Sequence, residues 1–179
     1  MIKLFTTYYD EQNPQRRSEL RTCLKKNSRC KSISKIYVLS EVEKDDFLLK
    51  NNVKFIEVSR RPVFKDFINI VNSVTSEGDI NIISNADIYF DRSLDILAGI
   101  LLKNCSFALT RWDVGTDGRT RLTELSNSQD SWIFQGSIRG IEGNFPIGVP
   151  GCDNRLAYEI RKAGYRLSNP SISIKTPFF

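Results

Sequence analysis

Short apolar runs alternate with amphipathic stretches along the first half of this chain. Ile2–Thr7 is apolar and ends in polar residues, which predicts a strand. Asn13-Pro14 reads as an N-cap followed by proline in the first helical turn, opening a basic helix to about Lys26. Ser34–Ser40 contains Ile-Tyr-Val-Leu, a buried-strand run, and Glu41–Lys50 reads as a short helix with Phe47, Leu48 and Leu49 inward. Val53–Val58 is a third strand, and Arg60-Arg61-Pro62 is a loop. Phe64, Phe67, Ile68 and Val71 fall at helical spacing and predict an amphipathic helix to about Thr75. Glu77-Gly78-Asp79 is a turn before another buried strand, Ile80–Ser84. Leu94, Leu97, Ala98 and Leu101 mark a further helix, followed by a strand over Phe107–Thr110.

The second half changes character. Asp113–Gln129 is polar, with Gly115-Thr116-Asp117-Gly118 as a turn or mobile loop. Asp130–Phe134 reads as a short strand, and Gly136–Gly151 is rich in glycine and proline. Arg155–Ala163 is a helix with Gly164 suited to its C-terminal cap, and Leu167–Lys175 is a final strand segment. Strands alternating with helices imply βαβ units with right-handed crossovers, and so an α/β fold with a mostly parallel central sheet flanked by helices. There is no internal repeat and no interdomain linker, so residues 1–179 form one domain.

Composition narrows the class. A chain of 179 residues can bury one substantial core, and 40% hydrophobic with 26% charged residues is ordinary for a globular protein. No apolar run is long enough to span a membrane, and Met1-Ile2-Lys3-Leu4-Phe5 runs straight into a strand without a signal-peptide hydrophobic region. The expected location is therefore cytoplasmic. The formal net charge is +5, but basic and acidic residues are mixed, which makes nucleic acid an unlikely partner. The exceptions are Arg60-Arg61 and the first helix region, with Arg16, Arg17, Arg21, Lys25, Lys26, Arg29 and Lys31. That region is either a solvated helix face or an attraction for an anionic substrate or surface. Cys23, Cys30, Cys105 and Cys152 form no C-x-x-C pair, which argues against a zinc knuckle. The chain has no histidine, so it cannot by itself build a Ser-His-Asp triad, a Cys-His dyad or a His-ligated metal site.

In an open α/β sheet, ligands bind beyond the carboxyl ends of the strands. Thr6 and Thr7, then Ser59, Arg60 and Arg61, then Asn85, Asp87 and Asp91, then Arg111, Trp112 and Asp113 all lie at such ends. Alternation along an extended segment puts Asn85 and Asp87 on one side. Two oxygen-bearing side chains suit a hard cation such as Mg²⁺ or Mn²⁺, which takes one or two carboxylates and completes its shell with phosphates. The competing reading is that Asn85 and Asp87 only build the turn after a strand.

The run Ile82-Ile83-Ser84-Asn85-Ala86-Asp87-Ile88-Tyr89-Phe90-Asp91 resembles the strand-plus-acidic segment of glycosyltransferases with the Rossmann-like GT-A fold. The resemblance extends over most of the chain. It takes in the strand–helix alternation of residues 1–91, Leu109-Thr110-Arg111-Trp112, Ser128-Gln129-Asp130-Ser131-Trp132-Ile133-Phe134 and Gly151-Cys152-Asp153-Asn154. The order is similar to bacterial or viral enzymes that modify polysaccharides. It implies a nucleotide-binding half, residues 1–91, and an acceptor-side half, residues 105–179. Asn85, Ala86 and Asp87 would occupy the D-x-D-type motif that binds metal, phosphates and ribose, with Asn85 replacing an acid. Asp91 would assist the metal or cap the next helix. Thr6 and Thr7 would sit near the nucleoside, Arg60 would contact a base or phosphate, and Lys65 or Asp66 would face the nucleotide or solvent. Trp112, Trp132 and Tyr89 would form a platform for a sugar ring, or pack in the core.

Transfer with inversion needs a carboxylate to take the acceptor hydroxyl's proton. Asp153, just before a helix, is the first candidate, and a helix N-cap is its competing role; Asp130 is the second candidate. Many metal-dependent members of the family carry a histidine near the C-terminus. This chain has none and ends at Thr176-Pro177-Phe178-Phe179. The expectations are then a metal held by Asp87 and phosphates alone, a shortened form, or impaired catalysis. The Phe-Phe end would be an exposed apolar element able to dock on a partner. Three functions remain open. One is a glycosyltransferase using a UDP- or GDP-sugar, and another is a binding module of the same fold that recognises a glycan or partner. The third, a nucleotidyltransferase, ranks last because Thr6-Thr7-Tyr8-Tyr9-Asp10 lacks the glycine-rich loop expected after the first strand.

Overall fold

The computed structural model describes residues 1–42, 51–115, 117–124 and 128–178. Ten strands and three α-helices alternate as β1 (Ile2–Tyr8), α1 (Pro14–Arg29), β2 (Lys35–Ser40), β3 (Val53–Glu57), α2 (Phe64–Val74), β4 (Ile80–Ser84), β5 (Cys105–Leu109), β6 (Trp112–Val114), β7 (Thr120–Leu122), β8 (Ser131–Gln135), α3 (Cys152–Lys162), β9 (Arg166–Ser168) and β10 (Pro177–Phe178). A 3-10 helix, Arg92–Gly99, lies between β4 and β5. The helix expected over Glu41–Lys50 falls, from residue 43 onward, outside the described residues.

The main sheet has the order β3-β2-β1-β4-β8-β5-β9. β1 pairs in parallel with β2 and β4, and β2 with β3, as βαβ units require. β8 runs antiparallel to both β4 and β5, while β5 and β9 are parallel. The sheet is therefore mostly parallel, with one reversed strand in its second half.

Period-two alternation divides the core between the two faces. Leu4, Ile36, Val38, Ile82 and Ile133 face Leu20 and Leu24 of α1, with Leu94 and Leu97 of the 3-10 helix. Phe5, Leu39, Ile83, Trp132 and Phe134 face Phe64, Phe67 and Val71 of α2, with Leu156 and Ile160 of α3. Trp132 is fully buried and meets Phe64 edge-on, with ring centroids 5.2 Å apart. It belongs to the core, and the sugar-platform reading does not hold for it.

Four local expectations are corrected. The helix expected through Leu101 is a 3-10 helix that ends at Gly99, with Leu94 and Leu97 buried and Leu101 exposed beyond it. The polar stretch after residue 112 contains the antiparallel hairpin β6–β7, which joins β10 in a second, three-stranded sheet. Beyond Ser168, the residues expected to extend the last strand form turns. The C-terminal segment is not a free apolar end: Pro177 is buried, and Pro177 O accepts from Tyr89 N at 3.0 Å. Phe178 bridges to Ile88; Phe179 lies outside the described residues.

Asn27 fixes α1 to the acidic segment. Its Nδ2 donates to Ile88 O and its Oδ1 accepts from Phe90 N, both at 2.9 Å. A buried amide that satisfies two backbone groups is costly to remove, at roughly 1–3 kcal/mol for each group left unpaired. The contact holds Asp87 beside the first turn of α1, where Asn13 caps the helix by accepting from Gln15 N and Arg16 N.

Candidate active site

A cavity of about 960 Å³ opens at the carboxyl ends of β1 and β4. Because β8 is reversed, its entry lies at the same edge as the exit of β4, and Asp130 arrives there just before the strand begins. Thr7, Tyr9 and Asp10 line the cavity from β1, Arg16 from α1, Asn85-Ala86-Asp87 from β4 and Arg111 from the end of β5. The opposite wall is Arg61 with residues 147–153, and Phe178 closes one side.

Asp87, Asp130 and Asp153 are three of the carboxylates that line this cavity. Asp87 pairs through Oδ2 with the guanidinium of Arg16, which also contacts Glu19 at 3.0 Å. Burial works against the Arg16 charge, but hydrogen bonds to Glu19 and the charge of Asp87 hold its pKa above the usual value. Asp130 accepts from Asn85 Nδ2 at 2.8 Å. Burial, reinforced by the negative charge of Asp87, pushes the Asp130 carboxyl up to about 6. Asp153 Oδ2 accepts from Gln129 N at 3.2 Å. Gly151, at φ +81°, stands at the N-cap of α3. Asp153 therefore falls inside the first turn, and its carboxylate faces the cleft instead of capping the helix.

Three buried oxygens, Asn85 Oδ1, Asp87 Oδ1 and Asp130 Oδ2, have no hydrogen-bond partner. All three residues line the cavity. An all-oxygen set of two carboxylates and an amide has the chemistry that Mg²⁺ and Mn²⁺ prefer. Among the described residues, no group of three or more His, Cys, Asp or Glu side chains converges. The protein would thus supply only part of a coordination shell, and phosphates and water the rest. Burial raises the thiol of Cys152, which lines the cleft, and pushes that of Cys23, outside it, up to about 12, which disfavours the thiolate at both.

Thr7, Asn85, Ala86, Asp87, Asp130 and Asp153 line the cleft; other candidates do not. Thr6 is buried in β1, because successive strand residues face opposite sides. Arg60 is turned outward and holds Asp66 through two hydrogen bonds, at 2.9 and 3.0 Å. Its neighbour Arg61 lines the cleft, donating from Nε to Ile147 O at 3.2 Å and from Nη2 to Gly148 O at 2.9 Å. Asp91 caps the 3-10 helix by accepting from Ser93 N at 2.8 Å, and it borders a separate cavity with Arg29 and Tyr89. Neither Tyr89 nor Trp112 lines the main cleft; the indole of Trp112 donates to Ser171 O at 2.8 Å. Arg111, already placed at a strand's carboxyl end, lines the cleft, and Arg16 and Phe178 acquire site positions that sequence reasoning did not assign. The available signal for Arg16 was that it lies in the first turn after β1.

No protein-family model matches the sequence, and no curated protein does. Similarity to solved structures is extensive. Residues 1–349 of S. aureus TarS align over 99% of this chain and 60% of that one, with a TM-score of 0.62 and 14% identity. The same protein has been solved with UDP-GlcNAc. A mannosyltransferase from Pyrobaculum calidifontis, in complex with GDP-Man and Mn²⁺, aligns over 98% of this chain and 56% of that one, at TM-score 0.59 and 14% identity. The chain thus spans well under two thirds of either protein. The 4-diphosphocytidyl-2C-methyl-D-erythritol synthase of Anaerococcus prevotii aligns over 98% and 89%, at TM-score 0.54 and 12% identity. The chain shares the Rossmann-like, GT-A-type α/β fold of these solved structures, which include a mannosyltransferase and a diphosphocytidyl-methylerythritol synthase.

Proposed function

We propose that this chain is a glycosyltransferase domain that moves a sugar from a nucleotide-diphosphate donor to a hydroxyl of a glycan or other acceptor. One observation carries the reading: Asp87, Asp130 and Asp153 come from three separate segments and line a single cleft at the carboxyl edge of the sheet.

Asn85, Asp87 and Asp130 would hold Mn²⁺ or Mg²⁺, which when bound neutralises charge building on the leaving diphosphate. Thr7 and Tyr9, at the end of β1, border the nucleoside side. Asp153 takes the proton from the acceptor hydroxyl as that oxygen bonds to the sugar's anomeric carbon. The bond from that carbon to the phosphate oxygen breaks, and the nucleoside diphosphate departs. The wall formed by residues 147–153 would exclude water and orient the acceptor. Four free cysteines are in keeping with a cytoplasmic setting. No helix among the described residues is long and apolar enough to cross a membrane.

The test is thermal stability with a panel of UDP- and GDP-sugars, with and without Mn²⁺. A rise in Tm with at least one donor, abolished by Asp87→Ala, is the expected result; no rise with any donor overturns the reading. The Arg16–Asp87 ion pair favours a second reading, a module of the same fold that binds glycan without chemistry. Glycan binding in the absence of any nucleotide binding would select it.

A further inference from the structure

Two arginines from distant parts of the chain each lie against one aromatic ring beside the cleft. The guanidinium carbon of Arg111 lies 4.3 Å from the centroid of Phe178, and that of Arg16 lies 5.3 Å from it. All three residues line the cavity. The ring is held in place by backbone. β10 pairs in parallel with β6, with Phe178 opposite Asp113, and Phe178 bridges to Ile88, the residue after Asp87.

An aromatic face attracts a guanidinium and fixes the plane of its fork, leaving N–H groups along its edge for an anion. Each arginine now rests on a carboxylate: Arg16 on Asp87, and Arg111 Nε on Asp113 Oδ1 at 3.0 Å. Two like charges this close to one ring repel, and a doubly charged anion in the cavity that both line relieves that repulsion. Guanidinium pairs with phosphate through charge-assisted, often bidentate hydrogen bonds. The third cation of the cleft, Arg61, is already committed to the carbonyls of Ile147 and Gly148.

We propose that Arg16 and Arg111, aligned by Phe178, clamp the two phosphates of the donor, and that Arg16 exchanges Asp87 for phosphate as the donor enters. The proposal rests on the nucleotide-sugar reading of the cleft and names the groups that would grip its charged part. It also lets the Arg16–Asp87 pair neutralise both charges between donors. Arg16 occupies one oxygen of Asp87 until a phosphate draws it away, so the donor itself frees that carboxylate for a cation.

Calorimetric titration of the full chain with uridine, guanosine, UMP, GMP, UDP and GDP, with and without Mn²⁺, tests the clamp. For wild type, the affinity should rise from nucleoside to monophosphate to diphosphate. Arg111→Gln should weaken diphosphate binding by about tenfold or more while changing nucleoside binding by no more than about twofold, as expected for losing a charge-assisted contact. Phe178→Leu, which keeps both charges, should move the diphosphate-to-nucleoside ratio in the same direction by a smaller factor. Arg16→Gln should weaken diphosphate binding and, with no nucleotide present, strengthen Mn²⁺ binding seen by paramagnetic resonance. If Arg16→Gln fails to fold, the other two variants decide the question, with melting curves to show that they are intact. A diphosphate-to-nucleoside ratio unchanged in both Arg111→Gln and Phe178→Leu overturns the clamp and leaves the donor reading standing. If wild type binds none of the six compounds, the donor reading falls and the clamp with it.

Discussion

Asn85 Nδ2 donates to Asp130 Oδ1 at 2.8 Å across the seam between β4 and β8. The hydrogen bond gives a reason for an amide, and not an acid, at position 85. An aspartate at position 85 would face the Asp130 carboxyl, which burial and Asp87 already push up to about 6. In protein stripped of divalent cations, Asn85→Asp should cost about 1–2 kcal/mol at pH 8. The cost should shrink at pH 5, where protonated Asp130 no longer repels its neighbour. Urea melts at both pH values measure this, and equal losses would contradict it.

Asp79 provides an acid-sensitive anchor far from the cleft. Burial opposes its charge, but Lys3 Nζ at 2.7 Å, Ser76 N at 2.8 Å and the N-terminal ammonium at 3.1 Å together hold its pKa down at about 2. A carboxyl depressed in the folded state stabilises the protein above its unfolded pKa, and that contribution disappears as pH falls through the folded pKa. Asp79→Asn should therefore lower stability at pH 7 by about 2 kcal/mol. The gap from wild type should close between about pH 4 and pH 2. A gap independent of pH in melting experiments would show that the ion pairs contribute nothing specific.

Gly143 has no room for a side chain. A Cβ there would lie 2.5 Å from Lys65 N and 2.8 Å from Phe64 C, both backbone atoms at the start of α2. The same close approach lets Gly143 O accept from Lys65 N at 2.9 Å, tying the second half of the chain to α2. Gly143→Ala should cost about 2–3 kcal/mol in equilibrium unfolding. A change below about 0.5 kcal/mol would mean that the loop relaxes freely.

Asp153→Asn separates chemistry from binding. It preserves shape and the hydrogen bond from Gln129 N, but it removes the proton acceptor. If Asp153 is the base, kcat should fall by about 100-fold or more, with donor affinity unchanged within about twofold. A kcat unchanged within about twofold, or a parallel loss of kcat and donor affinity, would rule out this role for Asp153.

Strong periodicity made much of the first half legible. β4 falls at Ile80–Ser84 as expected, and α2 ends within a residue of the expected Thr75, because Phe64, Phe67, Ile68 and Val71 must all reach one face of the sheet. The β6–β7 hairpin was not legible. Its strands are three residues long and only half buried, so the alternation in Trp112-Asp113-Val114 is too short to mark a strand. The placement of Asn85, Ala86 and Asp87 could be read because polar residues directly following a buried parallel strand emerge at its carboxyl edge. The choice between Arg60 and Arg61 could not, since one step along the chain decides which side chain turns inward.

By itself, the order of residues determined the layers, the mostly parallel sheet and the edge where polar groups collect, since each follows from spacing along a few neighbouring residues. Only the tertiary structure decided how those groups are charged and gripped. The reversal of β8 brings Asp130 beside Asn85, and the return of β10 lays Phe178 against Arg16 and Arg111. Those contacts join residues far apart in the chain, and the burial and electrostatic fields they create exist only once the whole sheet has formed.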